Sequence, residues 1–214
     1  PRAPMPSQHS TRITAVRHSE TAWNRDTRIQ GSLDIALNAT GQWQARQLAH
    51  ALADEPPCAI YSSDLQRAKC TAELIADKFN LSLQLTEDLR EMNFGQWEGI
   101  LFDEINKKWP NAINKFFDNP MSINIPGGET FQQVQDRGMR AMHRIIGENL
   151  GRSIAIVAHG AINRAILSCA IHIPLEYIWS VSQSNTAYNI LSYDDEYKKF
   201  YVQTINNTSH LIMP

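Results

Sequence analysis

Along this chain, stretches with apolar residues at every second position alternate with stretches where they recur every three or four. That is the pattern of strands and helices laid down in turn, and it favours α/β layering. Residues 11–16 alternate and read as a strand. Residues 40–53 carry Ala45, Leu48, Ala49 and Leu52 at helical spacing and stop before Pro56 and Pro57. Residues 58–61 read as a short buried strand. Ser63 and Gln66 have the spacing of a capping box, which opens a helix with the stripe Leu65, Ala68, Ala72, Ile75 and Phe79. Residues 81–85 alternate again. Phe131, Val134, Gly138, Ala141, Met142 and Ile145 mark a long helix, residues 153–158 a strongly apolar strand, and Ile162, Ala165, Ile166 and Cys169 a helix directly after it. Residues 187–193 and 199–205 read as a hairpin turning at Asp194 and Asp195. Between about 100 and 130 the periodicity breaks into short helical pieces with several aromatics, Phe102, Trp109, Phe116 and Phe117, which reads as a helical cap inserted between sheet elements. The expected fold is a three-layer α/β/α sandwich on a mostly parallel sheet with an antiparallel edge strand.

Composition narrows this picture. The 214 residues, 43% hydrophobic and 20% charged, suit one domain at roughly 100–200 residues per domain. We read residues 11–214 as that domain and the Pro-rich, polar residues 1–10 as a disordered tail, with Met5 as a candidate natural start. A net charge of −2 argues against a nucleic-acid face, and no run reaches the roughly 18 apolar residues of a membrane span. Three cysteines at unrelated spacings read as reduced thiols of a cytoplasmic protein. Oligomeric state stays open, a homodimer included.

Candidate chemistry gathers where strands end. Arg17 and His18 follow the first strand, Arg67 lies in the first turn of the helix after the second, and His159 follows residues 153–158 at once. In open α/β sheets ligands bind at the carboxyl ends of strands, and helix N-termini there favour anions. An isolated His or Arg at such a place is more often structural, so the coincidence carries the argument. Forked guanidinium donors suit phosphate oxygens, and a neutral imidazole is a competent nucleophile toward phosphorus. A proton source for a leaving oxygen is available in the carboxylates between Asp88 and Glu98. No G-x-S-x-G elbow, P-loop or G-x-G-x-x-G occurs, and the seven histidines show no metal-site spacing.

The chain resembles the histidine phosphatase (phosphoglycerate mutase-like) superfamily over roughly residues 13–211. The resemblance rests on Arg17-His18-x-Glu20-Thr21-x-Trp23-Asn24, Gln30-Gly31-x-x-Asp34, Ser62-Ser63-Asp64-Leu65-x-Arg67-Ala68, Leu89-Arg90-Glu91-x-x-Phe94-Gly95-x-Trp97-Glu98-Gly99, Pro126-Gly127-Gly128-Glu129 and Val157-Ala158-His159-Gly160. It is nearest to the small bacterial phosphatases of the broad-specificity and α-ribazole type. The resemblance implies a metal-independent, cofactor-free phosphomonoesterase for a small phosphorylated metabolite. In it His18 becomes phosphohistidine, and Arg17, Arg67 and His159 hold the phosphoryl oxygens. Glu91 is the acid and base, with Glu98 a weaker candidate, and Asn24, Thr21 and Gln30 are secondary phosphate contacts. The family has Gly after its nucleophilic His where this chain has Ser19, which bears on rate or specificity. His210 matches a tail pattern of some relatives without a role attached. The alternatives are a mutase, for which the cap offers Lys107, Lys108 and Lys115 but no Arg, and a non-catalytic phospho-ligand binder, against which all five principal residues are present.

Overall fold

Side chains alternate between the two faces of a strand, and the central strand shows what each face buries. The computed structural model describes residues 6, 7 and 9–212. Its six-stranded sheet consists of β1 (Thr11–Arg17), β2 (Ala59–Ser62), β3 (Leu83–Leu85), β4 (Ser153–Ala158), β5 (Tyr188–Asp194) and β6 (Lys199–Asn207) in the order β3-β2-β4-β1-β5-β6. Ile154, Ile156 and Ala158 of β4 point into one apolar cluster, and Ala155 and Val157 into another. The helices are α1 (Ala22–Arg25), α2 (Ala39–Ala51), α3 (Gln66–Phe79), α4 (Phe102–Lys108), α5 (Ala112–Asp118), α6 (Phe131–Gly147) and α7 (Gly160–Ala170). Leu48 and Ala49 of α2 pack with Ala68, Ala72 and Ile75 of α3 over the second face. Val134, Ala141 and Ile145 of α6 pack with Ile162 and Ile166 of α7 over the first. The layers are therefore helix, sheet, helix, as the periodicities require.

Strands β1, β2, β3 and β4 are mutually parallel, and β5 runs antiparallel to β1 and to β6. The hairpin expected at the sheet edge is β5–β6. Its first strand lies inside the sheet, because Thr11–Val16 pairs with Tyr188–Tyr193, and only β6 is an edge. Helices α6 and α7 approach closely at Gly138, where a Cβ would lie 3.0 Å from Ile166.

Two local expectations need correction. The capping box read at Ser63 and Gln66 does not form: α3 begins at Gln66, its N-cap Leu65 makes no side-chain bond, and the Gln66 N–H donates instead to Asp34 Oδ1 at 2.7 Å. Ser63 is committed elsewhere, as the site shows. A short α1 that periodicity did not reveal is opened by a capping box between Thr21 and Asn24. Of residues 1–10, the tail expected to be disordered, 1–5 and 8 fall outside the described residues, Met5 among them. Ser7 within it donates its N–H to Asp194 Oδ2 at 3.0 Å.

Between Gly99 and Gly128, α4, α5 and a 3-10 turn (Pro120–Ser122) carry Phe102, Ile113, Phe116 and Phe117 over the carboxyl edge of the sheet. No helix among the described residues is long and apolar enough to cross a membrane. Cys58 is exposed and Cys70 and Cys169 are half-buried, all three as free thiols.

Candidate active site

Parallel pairing of β1 with β4 puts Arg17 opposite Ala158, and the ladder runs one step further, with His18 N–H donating to Ala158 O at 2.9 Å. The residues that follow each strand, His18 and His159, are therefore neighbours, with ring centroids 5.2 Å apart. Ser63 leaves β2 beside them through its N–H to Val157 O, 3.0 Å. One sheet edge gathers all three.

His18 is buried, and its Nδ1 lies 2.7 Å from the carbonyl oxygen of Ser19. A carbonyl only accepts, so Nδ1 carries the proton and the lone pair sits on Nε2. Burial, then the Arg67 and Arg17 charges, hold the His18 pKa well below its ordinary value, which keeps the ring neutral. Ser19 has no positive φ, so the backbone there does not need glycine. Its N–H donates to Thr71 Oγ1 at 3.0 Å and its hydroxyl lies against Thr186 Oγ1 at 3.3 Å, away from the cavity.

His159 is the N-cap of α7 and is fully buried. Its Nε2 is 2.8 Å from Ser63 Oγ, which also accepts the Leu65 N–H at 3.3 Å. The other ring nitrogen, Nδ1, is buried with no hydrogen-bond partner, and His159 does not line the cavity. Burial lowers this pKa most, followed by Arg67, His18 and Arg17.

The guanidinium of Arg67 is almost wholly buried and reaches back to the loop after α1, donating to Leu33 O at 2.7 Å and Gly31 O at 2.6 Å. Its Nε is left without a partner, as is that of Arg17, whose Nη1 donates to Gln183 O. Burial lowers both pKa values, that of Arg67 to about 10, and a guanidinium keeps its charge in proteins. Gly31 makes the Arg67 contact possible. Its φ is +53°, and a Cβ there would lie 2.2 Å from Glu98 Oε1.

Glu91 is clasped at the N-terminus of α7, where a carboxylate is favourably placed. Oε2 accepts from Ala161 N–H at 3.0 Å, and Oε1 from Ile162 at 3.2 Å and Met92 at 2.8 Å. Arg137 of α6 fixes the segment from behind by donating to the carbonyls of Asp88, Arg90 and Glu91 while paired with Glu129. Glu98 faces away. It accepts from Ser32 N–H and hydroxyl at 2.8 Å and from Phe94 N–H at 3.1 Å, and it does not line the cavity.

The secondary contacts divide. Asn24 and Gln30 line the cavity, and their carbonyl oxygens are occupied: Gln30 Oε1 accepts from Thr21 Oγ1 at 2.8 Å and Asn24 Oδ1 from Thr21 N–H at 3.0 Å. Neither amide NH2 group donates to a protein acceptor among the described residues, which leaves both as donors for a ligand. Thr21 itself is fully buried and does not line it, so this hydroxyl orients the two amides instead of meeting a ligand. His210 packs on Tyr188 at 5.6 Å and is likewise outside the lining. Among the described residues no group of three or more His, Cys, Asp or Glu is placed to hold a metal ion.

The cavity has a volume of about 260 Å³, with an apolar wall of Phe102, Phe116, Phe117 and Trp179. Arg28, Arg164 and Trp179 are among the lining groups that escaped the sequence reading. Arg164 stands one helical turn after Gly160, a spacing that was visible. Trp179 arrives on a 3-10 turn (Leu175–Ser180) that no apolar periodicity announces.

The two neutral histidines have a consequence for stability. Unfolded, each takes up a proton as pH falls through about 6.5; folded, neither does until far lower. Their contribution is complete above pH 6.5 and is lost below it, at up to about 1.4 kcal/mol per histidine per pH unit. Thermal melting of the ligand-free protein between pH 7.5 and 5 should show this slope, with one proton fewer in His18→Asn.

The histidine phosphatase superfamily (branch 1) model matches residues 13–208, and the chain belongs to that family. It is 36% identical over 205 residues to a metal-independent phosphoserine phosphatase of Arabidopsis thaliana, covering 94% of this chain and 83% of that one. Among solved structures, Bacillus stearothermophilus YhfR superposes with a TM-score of 0.88 at 31% identity, over 94% of this chain and 98% of that one. A mycobacterial glucosyl-3-phosphoglycerate phosphatase complexed with VO3 superposes with a TM-score of 0.84 at 26% identity, over 91% and 98%.

Proposed function

We propose that the chain hydrolyses a small phosphate monoester through a phosphohistidine on His18. The observation that carries this reading is the hydrogen bond of His18: Nδ1–H is spent on the Ser19 carbonyl, and a neutral, buried ring is left beside two guanidinium groups whose Nε atoms have no protein partner. The names of relatives, a phosphoserine phosphatase and a glucosyl-3-phosphoglycerate phosphatase, support phosphate ester hydrolysis on small metabolites.

Arg17 and Arg67 receive the phosphoryl oxygens, with the Asn24 and Gln30 amides beside them and His159 packed against the His18 ring. His18 Nε2 attacks phosphorus, the bond from phosphorus to the ester oxygen breaks, and Glu91 delivers a proton to the departing alkoxide. Water then attacks the phosphohistidine, gives its proton to Glu91, and releases inorganic phosphate and a neutral His18. Negative charge on the equatorial oxygens grows where the guanidinium groups already stand. Residues 100–130 act as a cap whose aromatic wall keeps water from the leaving group.

All the invoked side chains belong to one chain, and a homodimer is compatible with this mechanism. The free thiols support a reducing, cytoplasmic setting. The arginines supply the positive charge that a metal would otherwise bring, so phosphate release is expected to survive EDTA. The check is a panel of metabolite monophosphates with and without chelator. Complete loss rescued by Mg²⁺ would overturn the mechanism. Phosphoryl return to substrate in the presence of a bisphosphoglycerate primer would favour a mutase.

A further inference from the structure

Four guanidinium groups, of Arg17, Arg28, Arg67 and Arg164, line the cavity, and Glu91 is the one acidic residue among its lining, a surplus of at least three positive charges, and of four when Glu91 carries the proton it donates. A phosphate monoester dianion compensates two of them. Uncompensated charge in a partly dry site is costly, so the arrangement has room for one more negative charge on the substrate.

The geometry says which arginine would take it. Arg17 and Arg67 belong to the phosphoryl group in the reading above. Arg28 is engaged with protein, with Nη1 donating to Gly99 O at 2.5 Å and the guanidinium 5.5 Å from the Trp23 ring centroid. Arg164 is fixed but unspent. Its Nε donates to Val181 O at 2.9 Å and its guanidinium lies 5.0 Å over the Trp179 ring. Those two contacts set the plane of the fork. Its terminal nitrogens donate to no protein acceptor among the described residues, and no carboxylate pairs with it.

Arg164 also stands beside the phosphoryl site. The space next to Gly160 where a Cβ would sit is 3.1 Å from Arg164 Nη1 and 3.3 Å from Arg17 Nε. The absent side chain lets two like charges approach, and burial together with Arg17 lowers the Arg164 pKa to about 10. An anion bound between the phosphoryl group and the Trp179 wall relieves that repulsion.

Resting on the phosphatase reading, we infer that Arg164 is a specificity-determining residue that receives a carboxylate on the leaving group, a few bonds from the ester oxygen. The substrate class is then a phosphorylated hydroxy acid or amino acid. A planar fork matches a carboxylate in two parallel hydrogen bonds, and the aromatic wall strengthens the pairing by excluding water.

The test compares two esters that differ at the acid group, 3-phosphoglycerate and glycerol 3-phosphate, with p-nitrophenyl phosphate as a third, carboxylate-free substrate. The wild type is expected to favour 3-phosphoglycerate over glycerol 3-phosphate by roughly tenfold or more in kcat/KM. Arg164→Gln is expected to shrink that preference by roughly 10–100-fold, mainly through KM. Arg164→Lys, which keeps the charge without the fork, should recover part of it. A wild type without the preference would overturn the inference even if Arg164→Gln fails to fold. So would an Arg164→Gln that lowers both esters and p-nitrophenyl phosphate by the same factor, since Arg164 would then serve the phosphoryl group. Failure of the phosphatase reading looks different: the wild type would release phosphate from none of the three.

Discussion

His18→Ala is expected to lower phosphate release by roughly 10⁴-fold or more, the scale seen when an enzyme loses its covalent nucleophile. No second group can replace it. His159 is the nearest imidazole, but its Nε2 is bonded to Ser63 and its ring lies outside the cavity lining. Cys58, Cys70 and Cys169 are likewise absent from that lining. Steady-state assays on p-nitrophenyl phosphate check the rate. Rapid quench with radiolabelled substrate should give an acid-labile, base-stable label on the wild type and none on the variant. Because Arg17, Arg67 and the Asn24 and Gln30 amides remain, the variant should still bind inorganic phosphate. A His18→Ala protein with near-native turnover would remove the covalent route.

Glu91→Gln is expected to cost about 10²–10⁴-fold on an alkyl phosphate, the usual range for general acid catalysis. The loss should be much smaller on p-nitrophenyl phosphate, whose leaving oxygen needs no proton. Glutamine keeps the size of the side chain, but its NH2 group cannot accept one of the three backbone N–H bonds that Glu91 takes from Met92, Ala161 and Ile162. Some misplacement will therefore add to the lost proton transfer. The leaving-group comparison separates the two, because misplacement alone would slow both esters alike. If Glu91 also activates the water, the phosphohistidine should outlive that of the wild type. Equal losses with an unchanged adduct lifetime would move the acid–base role elsewhere. Glu98 is a poor successor, since its carboxylate is held by Ser32 and Phe94 outside the cavity.

The layers and the sheet edge were legible because they follow from periodicity. The continuous apolar run of residues 153–158 encodes a strand buried on both faces and the helical spacing in residues 131–145 one buried face, and strand ends place His18, Arg67 and His159 without any side-chain detail. What the sequence hid was side-chain partnership. Ser63 and Gln66 carry a capping-box spacing, but the serine hydroxyl serves His159 and the cap passes to Asp34, more than thirty residues earlier in the chain. A local rule yields there to the needs of the site. Thr21 was read as a phosphate contact and lies one layer behind, orienting Asn24 and Gln30. Arg164 sat in view at a helical spacing from Gly160, yet nothing in the sequence told its guanidinium from a solvated one. The distinction comes from Val181 and Trp179, brought to it by a segment without periodicity.

The central claim is that phosphorus passes through His18 on its way to water. The most direct measurement is the stereochemical course of hydrolysis, using a phosphorothioate monoester made chiral with one heavy oxygen isotope, hydrolysing it in water that carries a second, and analysing the configuration of the thiophosphate released. Two successive in-line displacements, first by His18 Nε2 and then by water, predict net retention of configuration. Net inversion would mean that water attacks the ester directly, and would contradict the phosphohistidine account.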